Sequence, residues 1–170
     1  MKRWVVVLAG GVGSRFWPLS TAERPKQLLP LVSDEPMLLE QLKRVKAIAS
    51  PKRTLILTSA SLVAATAKLS KLPKANIIAE PKPAGTAAAL AWAANVIRQR
   101  EGDDATMISV HADWAIGNPV GFREALTMAA TAAEKEHALV TVGIVPTRPD
   151  PGFGYIEPGT HVSSGARKVK

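Results

Sequence analysis

The chain has 170 residues, 46% hydrophobic and 21% charged, a length and balance that suit one packed domain and exclude a disordered or coiled-coil chain. It contains no cysteine, which removes disulfide frameworks, thiolate metal sites and cysteine nucleophiles and points to the reducing cytoplasm. Lysine and arginine number 22 against 14 aspartate and glutamate, a formal net charge of +8, while aromatic residues make up only 5%; anionic partners are expected, and phosphates are favoured over nucleic acid because stacking platforms would be scarce.

In chain order, Lys2-Arg3 precede the apolar run Trp4-Val5-Val6-Val7-Leu8-Ala9, which ends at once in Gly10-Gly11-Val12-Gly13-Ser14-Arg15. The run is short and lacks a small-residue cleavage site, so it reads as a buried strand turning into a loop rather than a signal peptide. No membrane-spanning run follows, and no membrane partner is expected. Runs rich in Val, Ile and Leu at 54–57, 76–79, 106–110 and 139–144 predict further strands, and helical patterns fill 36–49, 61–72, 86–100 and 121–135. Strand alternating with helix predicts an α/β domain whose largely parallel central sheet is buried on both faces, with ligands at the carboxyl ends of its strands. Pro146-Thr147-Arg148-Pro149-Asp150-Pro151-Gly152 is loop chemistry, Phe153-Gly154-Tyr155-Ile156-Glu157 reads as a short strand, and 160–170 is polar with no core face. A doubly wound sheet would want more strands. Residues 1–170 therefore read as the N-terminal, nucleotide-binding part of a single domain whose sheet is incomplete, and an unfinished sheet favours self-association.

The strand running into Gly10-Gly11-Val12-Gly13-Ser14-Arg15 supplies what a polyphosphate needs: glycines without Cβ and backbone N–H groups free to converge on anionic oxygens. The dinucleotide fingerprint fails on spacing, since Phe16 stands where its third glycine belongs and Leu57-Thr58-Ser59 ends the second strand without an acidic residue. A Walker loop fails too, because no Gly-Lys-Ser/Thr follows at the required distance. What remains is a glycine loop with Arg15 beside it, then Pro18-Leu19-Ser20 and Pro25-Lys26-Gln27-Leu28-Leu29-Pro30-Leu31. Fixed cations next to a phosphate loop suit a reaction in which negative charge builds on phosphorus.

These residues resemble the sugar-nucleotide pyrophosphorylases, a nucleotidyltransferase family whose opening signature is a strand, Gly-Gly-x-Gly-x-Arg, Pro-Leu and Pro-Lys-x-x-Leu-Pro. Arg15-Phe16-Trp17-Pro18-Leu19-Ser20 and Pro25 to Leu31 are most similar to its mannose-1-phosphate guanylyltransferases. The resemblance implies a Rossmann-like, glycosyltransferase-A-like nucleotidyltransferase fold. It also implies GTP and mannose 1-phosphate as partners, Mg²⁺ as cofactor, and GDP-mannose and pyrophosphate as products. On this sequence it would place base, ribose and phosphates on Leu8, Ala9, Gly10, Gly11, Gly13, Ser14 and Arg15, with Arg15 and Lys26 as the catalytic cations on the phosphates.

Glu80-Pro81-Lys82-Pro83-Ala84-Gly85-Thr86-Ala87 follows a predicted strand and opens an alanine-rich helix. The guanylyltransferase pattern there, Glu-Pro-x-x-Arg-Asn-Thr-Ala-Pro-Ala, is met at Glu80, Pro81, Thr86 and Ala87 but not at Ala84, Gly85 or Ala88. Pro83-Ala84-Gly85 is similar instead to thymidylyl and uridylyl relatives acting on glucose 1-phosphate, where a glycine approaches the base. Glu80 weighs toward guanine, whose Watson–Crick edge offers two adjacent N–H donors to one carboxylate. Glu80, Gly85 and Thr86 are the expected base contacts.

Asp113, just beyond the strand Thr106-Met107-Ile108-Ser109-Val110, is the expected Mg²⁺ ligand, since that cation takes a carboxylate together with phosphate oxygens and waters. The family pattern is Pro-Ala/Ser-Asp-His, so His111 and Trp114 depart from it, and His111, His137 and His161 read as structural or pocket-wall residues. Phe153-Gly154-Tyr155-Ile156-Glu157 resembles a sugar-binding Gly-Tyr-Ile-Glu segment, implying Gly154 and Glu157 on the sugar hydroxyls. The tail Gly165 to Lys170 resembles the approach to a strand with Glu-Lys-Pro, whose lysine meets the sugar phosphate; that motif and a second metal-binding aspartate are expected beyond Lys170. A non-catalytic nucleotide-binding module is the reading from another functional class.

Overall fold

The computed structural model describes residues 2–11, 16–21, 23–82 and 84–170. Its regular elements are β1 (Lys2–Leu8), α1 (Met37–Val45), β2 (Thr54–Ser59), α2 (Val63–Ser70), β3 (Ile77–Glu80), α3 (Thr86–Glu101), β4 (Ala105–His111), α4 (Pro119–Glu136), β5 (Pro158–His161) and β6 (Arg167–Val169). The chain forms two compact units, Met1–Arg123 and Glu124–Lys170.

In the first unit β1 to β4 form one sheet in the order β3-β2-β1-β4, and every pairing is parallel. The four strands and four helices fall within a few residues of the spans expected from periodicity, because long apolar runs and helical stripes are strong local signals. Val5, Val6, Val7, Leu55, Ile56 and Leu57 are wholly buried, as central parallel strands covered on both faces must be. Side-chain alternation divides them. Trp4, Val6, Leu55 and Leu57 pack with Ala89, Ala93 and Ile97 of α3 in one cluster. Helix α1 is amphipathic by the same logic, burying Met37, Leu38, Gln41, Arg44 and Val45 at helical spacing.

Register decides where the strands end. Leu8 lies opposite Leu57 of β2 and His111 of β4, and Ser59 lies opposite Glu80 of β3. The carboxyl ends therefore share one rim, and the chain segments carrying Gly10, Glu80 and Asp113 all leave the sheet there. At the amino-terminal side, Lys2 Nζ and Arg53 Nε meet the carboxylate of Glu101 at 2.5 and 3.3 Å, which ties β1 and the entry to β2 to the end of α3.

The second unit corrects two expectations. Residues 139–144 form no strand: Leu139 and Ile144 are 104% and 91% exposed. Their β-branched composition specifies a side-chain preference, but a strand exists only as part of a ladder, and among the described residues this run is paired with no other segment. Nor is Phe153-Gly154-Tyr155-Ile156-Glu157 a strand. It closes an irregular loop in which the Asp150 N–H donates to Tyr155 Oη at 2.7 Å and the Tyr155 hydroxyl donates to the Asp150 carbonyl at 3.0 Å. The antiparallel pair in this unit is β5 with β6, within the polar tail. Its exposed side chains explain why hydrophobic patterning gave no sign of it.

Candidate functional site

The rim is built around the exit of β1. The Leu8 carbonyl accepts from Ala112 N at 3.0 Å, and Ala9 N donates to the Leu57 carbonyl at 2.8 Å. Two side chains then converge on the Ala9 carbonyl: Gln27 Nε2 donates at 2.7 Å and Thr58 Oγ1 at 3.1 Å. Both are buried, so the backbone entering the glycine loop is fixed from two directions before Gly10. A Cβ on Gly10 would lie 3.1 Å from Glu80 Oε1, so glycine here makes room for the carboxylate at the end of β3. Among the described residues none lies within 4 Å of where a Gly11 Cβ would sit. Gly13, Ser14 and Arg15 lie outside the described residues.

Across the rim, Gly85 has φ +85° and immediately precedes α3. With ψ at 167°, this is a conformation that residues with a Cβ rarely adopt, so glycine suits the position. Among the described residues no side chain caps the start of α3. Thr86 is its first residue and is exposed.

The basic and acidic members meet directly. Lys26 opens a short 3-10 helix, Lys26–Leu28, and its ammonium forms an ion pair with the carboxylate of Asp113. Both side chains are a quarter exposed, and Lys26 Nζ also sits 5.6 Å from the centre of the Phe16 ring. Asp113 follows β4 after Ala112, which the Leu8 carbonyl anchors. His111 and Trp114, the two departures from the family pattern on either side of Asp113, contact each other with ring centres 5.0 Å apart. Trp114 in turn meets Phe122 edge-on at 6.2 Å. The two substitutions thus form one aromatic brace.

Behind this loop, the buried Arg44 of α1 donates to Glu40 Oε2 at 2.6 Å, Gln41 Oε1 at 3.2 Å and the Trp114 carbonyl at 3.1 Å. The Ser33 hydroxyl and then the Arg44 guanidinium outweigh burial and hold the Glu40 carboxyl below its ordinary value of 4.5. A carboxyl lowered on folding contributes stability that is full above the unfolded value and is lost as pH falls through the folded one. The melting temperature should therefore drop below pH 4.5, and Glu40→Gln should be less stable at pH 7 with a shallower acid slope, its curve meeting the parent's at low pH. Parallel slopes would show that Glu40 gains nothing from its partners.

Among the described residues no group of three or more His, Asp or Glu side chains could enclose a metal. Asp113 supplies one carboxylate, a quarter exposed and paired with Lys26. That donor set does not suit a protein-caged ion, but it suits a hard cation that takes its remaining ligands from phosphates and water.

Of the expected site residues, the structure brings Leu8, Ala9, Gly10, Gly11, Lys26, Glu80, Gly85, Thr86 and Asp113 to the carboxyl side of one sheet. Gly154 and Glu157 belong to the second unit, where Glu157 is exposed and Lys170 Nζ donates to it at 2.7 Å. Gln27, Thr58 and Arg44 were missed as supports of the site. Gln27 sits inside the Pro-Lys-Gln motif, and Thr58 is a polar residue at the end of an apolar strand, so both carried a signal. Arg44 carried none beyond being a charge on the apolar stripe of α1.

Residues 4–170 match the model of the family described as nucleotidyl transferase. The chain belongs to the nucleotidyl transferase family. It is 38% identical over 167 residues to the mannose-1-phosphate guanylyltransferase of Sinorhizobium fredii, covering 96% of this chain and 32% of that protein. It is 39% identical over 163 residues to that of Escherichia coli, covering 95% and 34%. The chain thus spans about a third of the length of these nucleotidyl transferase relatives. The crystal structure of a mannose-1-phosphate geranyltransferase from Thermus thermophilus superposes with a TM-score of 0.85 at 34% identity, over 96% of this chain and 47% of that one. The expected Rossmann-like α/β nucleotidyltransferase fold is the fold observed. No helix among the described residues is long and apolar enough to cross a membrane.

Proposed function

We propose that this chain forms the nucleotide-binding side of a GTP-dependent mannose-1-phosphate guanylyltransferase, which transfers GMP from GTP to mannose 1-phosphate and yields GDP-mannose and pyrophosphate. The observation that carries the reading is that two pairs, Lys26 with Asp113 and Gly10 with Glu80, lie at the carboxyl ends of strands of one sheet. It is supported by 38% and 39% identity to proteins named for that reaction.

The chemistry needs little beyond positioning and charge neutralisation. A phosphate oxygen of the sugar 1-phosphate attacks the α-phosphorus in line, the bond from that phosphorus to the oxygen bridging to the β-phosphate breaks, and pyrophosphate leaves with the electron pair. The nucleophile is already an anion, so no general base is required. Lys26, with Arg15, would stabilise charge on the phosphates as it redistributes. Asp113 would hold Mg²⁺, which when bound neutralises phosphate charge and orients the oxygens. Glu80 would accept the two N–H donors of guanine beside the Gly10 backbone. Gly154 and Glu157 are proposed for the sugar hydroxyls.

Calorimetric titration with GTP, dTTP and UTP tests the base. GTP should bind most tightly, and Glu80→Gln should reduce its advantage by about tenfold to a hundredfold, the effect of losing hydrogen bonds to a charged acceptor. Gly10→Ala should act in the same direction with a melting temperature close to the parent's, because the new methyl group displaces only the end of a flexible glutamate. A preference for dTTP or UTP that survives Glu80→Gln would instead favour the thymidylyl or uridylyl reading, to which Ala84 and Gly85 lend support.

A further inference from the structure

We infer that Arg44 is a positioning residue for the metal-binding loop: through the Trp114 carbonyl it fixes the backbone that presents Asp113. This rests on the proposed role of Asp113. The loop from His111 to Trp114 is held on one side by the sheet, through Ala112 N and the Leu8 carbonyl at 3.0 Å. His111 and Phe122 hold it through the Trp114 ring. Arg44 adds a backbone contact on the far side of Asp113: its Nη1 donates to the Trp114 carbonyl at 3.1 Å while Nη2 is clamped by Glu40 Oε2 at 2.6 Å.

Burial argues that the arrangement is kept for geometry rather than for stability. Arg44 is 9% exposed, and replacing a buried ion pair by apolar residues of similar size is often neutral or stabilising. Beside it, Gln41 is wholly buried and among the described residues its Nε2 has no hydrogen-bond partner, an additional cost at the same place. An apolar residue at 44 would complete the hydrophobic stripe of α1. What only a guanidinium provides is a planar fork that grips a carboxylate with one nitrogen and a backbone carbonyl with another. A lysine there keeps the charge but cannot make both contacts in fixed geometry.

The test measures GTP binding by calorimetry across a Mg²⁺ series, for the parent chain, Arg44→Lys, Glu40→Gln, Asp113→Asn and the double variant Arg44→Lys/Asp113→Asn. Arg44→Lys should raise the Mg²⁺ concentration needed for half-maximal enhancement of GTP binding by about tenfold, as weakening a support of a metal ligand does. Its Mg²⁺-free GTP affinity should stay within about twofold of the parent's. Glu40→Gln, which loosens the same guanidinium and keeps a measurement available if Arg44→Lys does not fold, should shift Mg²⁺ dependence in the same direction by less. In the Asp113→Asn background Arg44→Lys should add nothing, since a support has no effect once its ligand is gone. Unchanged Mg²⁺ dependence in folded Arg44→Lys or Glu40→Gln, with Asp113→Asn showing a clear loss, would overturn the positioning role alone. So would an equal shift from Arg44→Lys in both backgrounds. Unchanged Mg²⁺ dependence in Asp113→Asn would overturn the metal role of Asp113 and the inference with it.

Discussion

Lys26→Ala, made in an enzyme of the relatives' length that carries this segment, should lower turnover by about tenfold to a thousandfold, the loss expected when one preorganised charge contact to a transition state is removed. Stability should hardly change. Lys26 and Asp113 each keep a quarter of the side chain open to solvent, and water-screened pairs of this kind contribute about 0 to 1 kcal/mol. The expected loss therefore falls on turnover and not on the folded chain. Arg15→Ala should behave alike by the family motif. Steady-state rates at saturating substrates, with melting curves on the same samples, measure both quantities. Turnover within about twofold of the parent in Lys26→Ala would take this residue out of the mechanism.

The largest effect on stability should come from Leu57→Ala. Leu57 is wholly buried in β2 within the cluster that packs β1 and β2 against α3. Truncating a buried leucine to alanine removes transfer free energy and leaves a cavity, together about 2 to 5 kcal/mol. Against a typical total of about 5 to 15 kcal/mol this threatens the folded state itself. The effect should reach the site as well, because the Leu57 carbonyl receives the Ala9 N–H at the entrance to the glycine loop. Urea denaturation should show a lower midpoint with an unchanged slope. A loss below about 1 kcal/mol would mean that the neighbours collapse into the space.

How much of this was legible in the sequence depended on whether a signal was local. The apolar runs of β1, β2 and β4 and the stripe of α1 announce themselves through periodicity, and strand-helix alternation implies the parallel sheet and the rim on which ligands gather. The same periodicity misled at 139–144, where apolar composition predicted a strand but pairing, a non-local property, did not follow. It was silent on β5 and β6, whose residues face solvent. In the site, residue types named Lys26, Glu80 and Asp113 as chemically apt. That Lys26 and Asp113, far apart along the chain, touch each other is a product of the fold. Gln27, Thr58 and Arg44 act on backbone carbonyls, and no sequence pattern says which carbonyl a buried side chain will reach.

The unpaired run Leu139-Val140-Thr141-Val142-Gly143-Ile144-Val145 has a consequence for the chain in bulk solution. It carries no charge and no proline and is rich in β-branched residues, with Ile144 and Val145 at 91% and 84% exposure. Short segments of that kind stack between copies into dry, interlocked cross-β layers, and nearby charges are the usual protection against it. Charges flank this run, at Glu136 before it and Arg148 after it, but none lies within it. The net charge of +8 keeps copies apart at low ionic strength, but screening shortens the reach of that repulsion to about 10 Å at 0.1 M salt. Added salt should therefore weaken the repulsion that separates copies carrying this exposed run, which light scattering across a salt series measures.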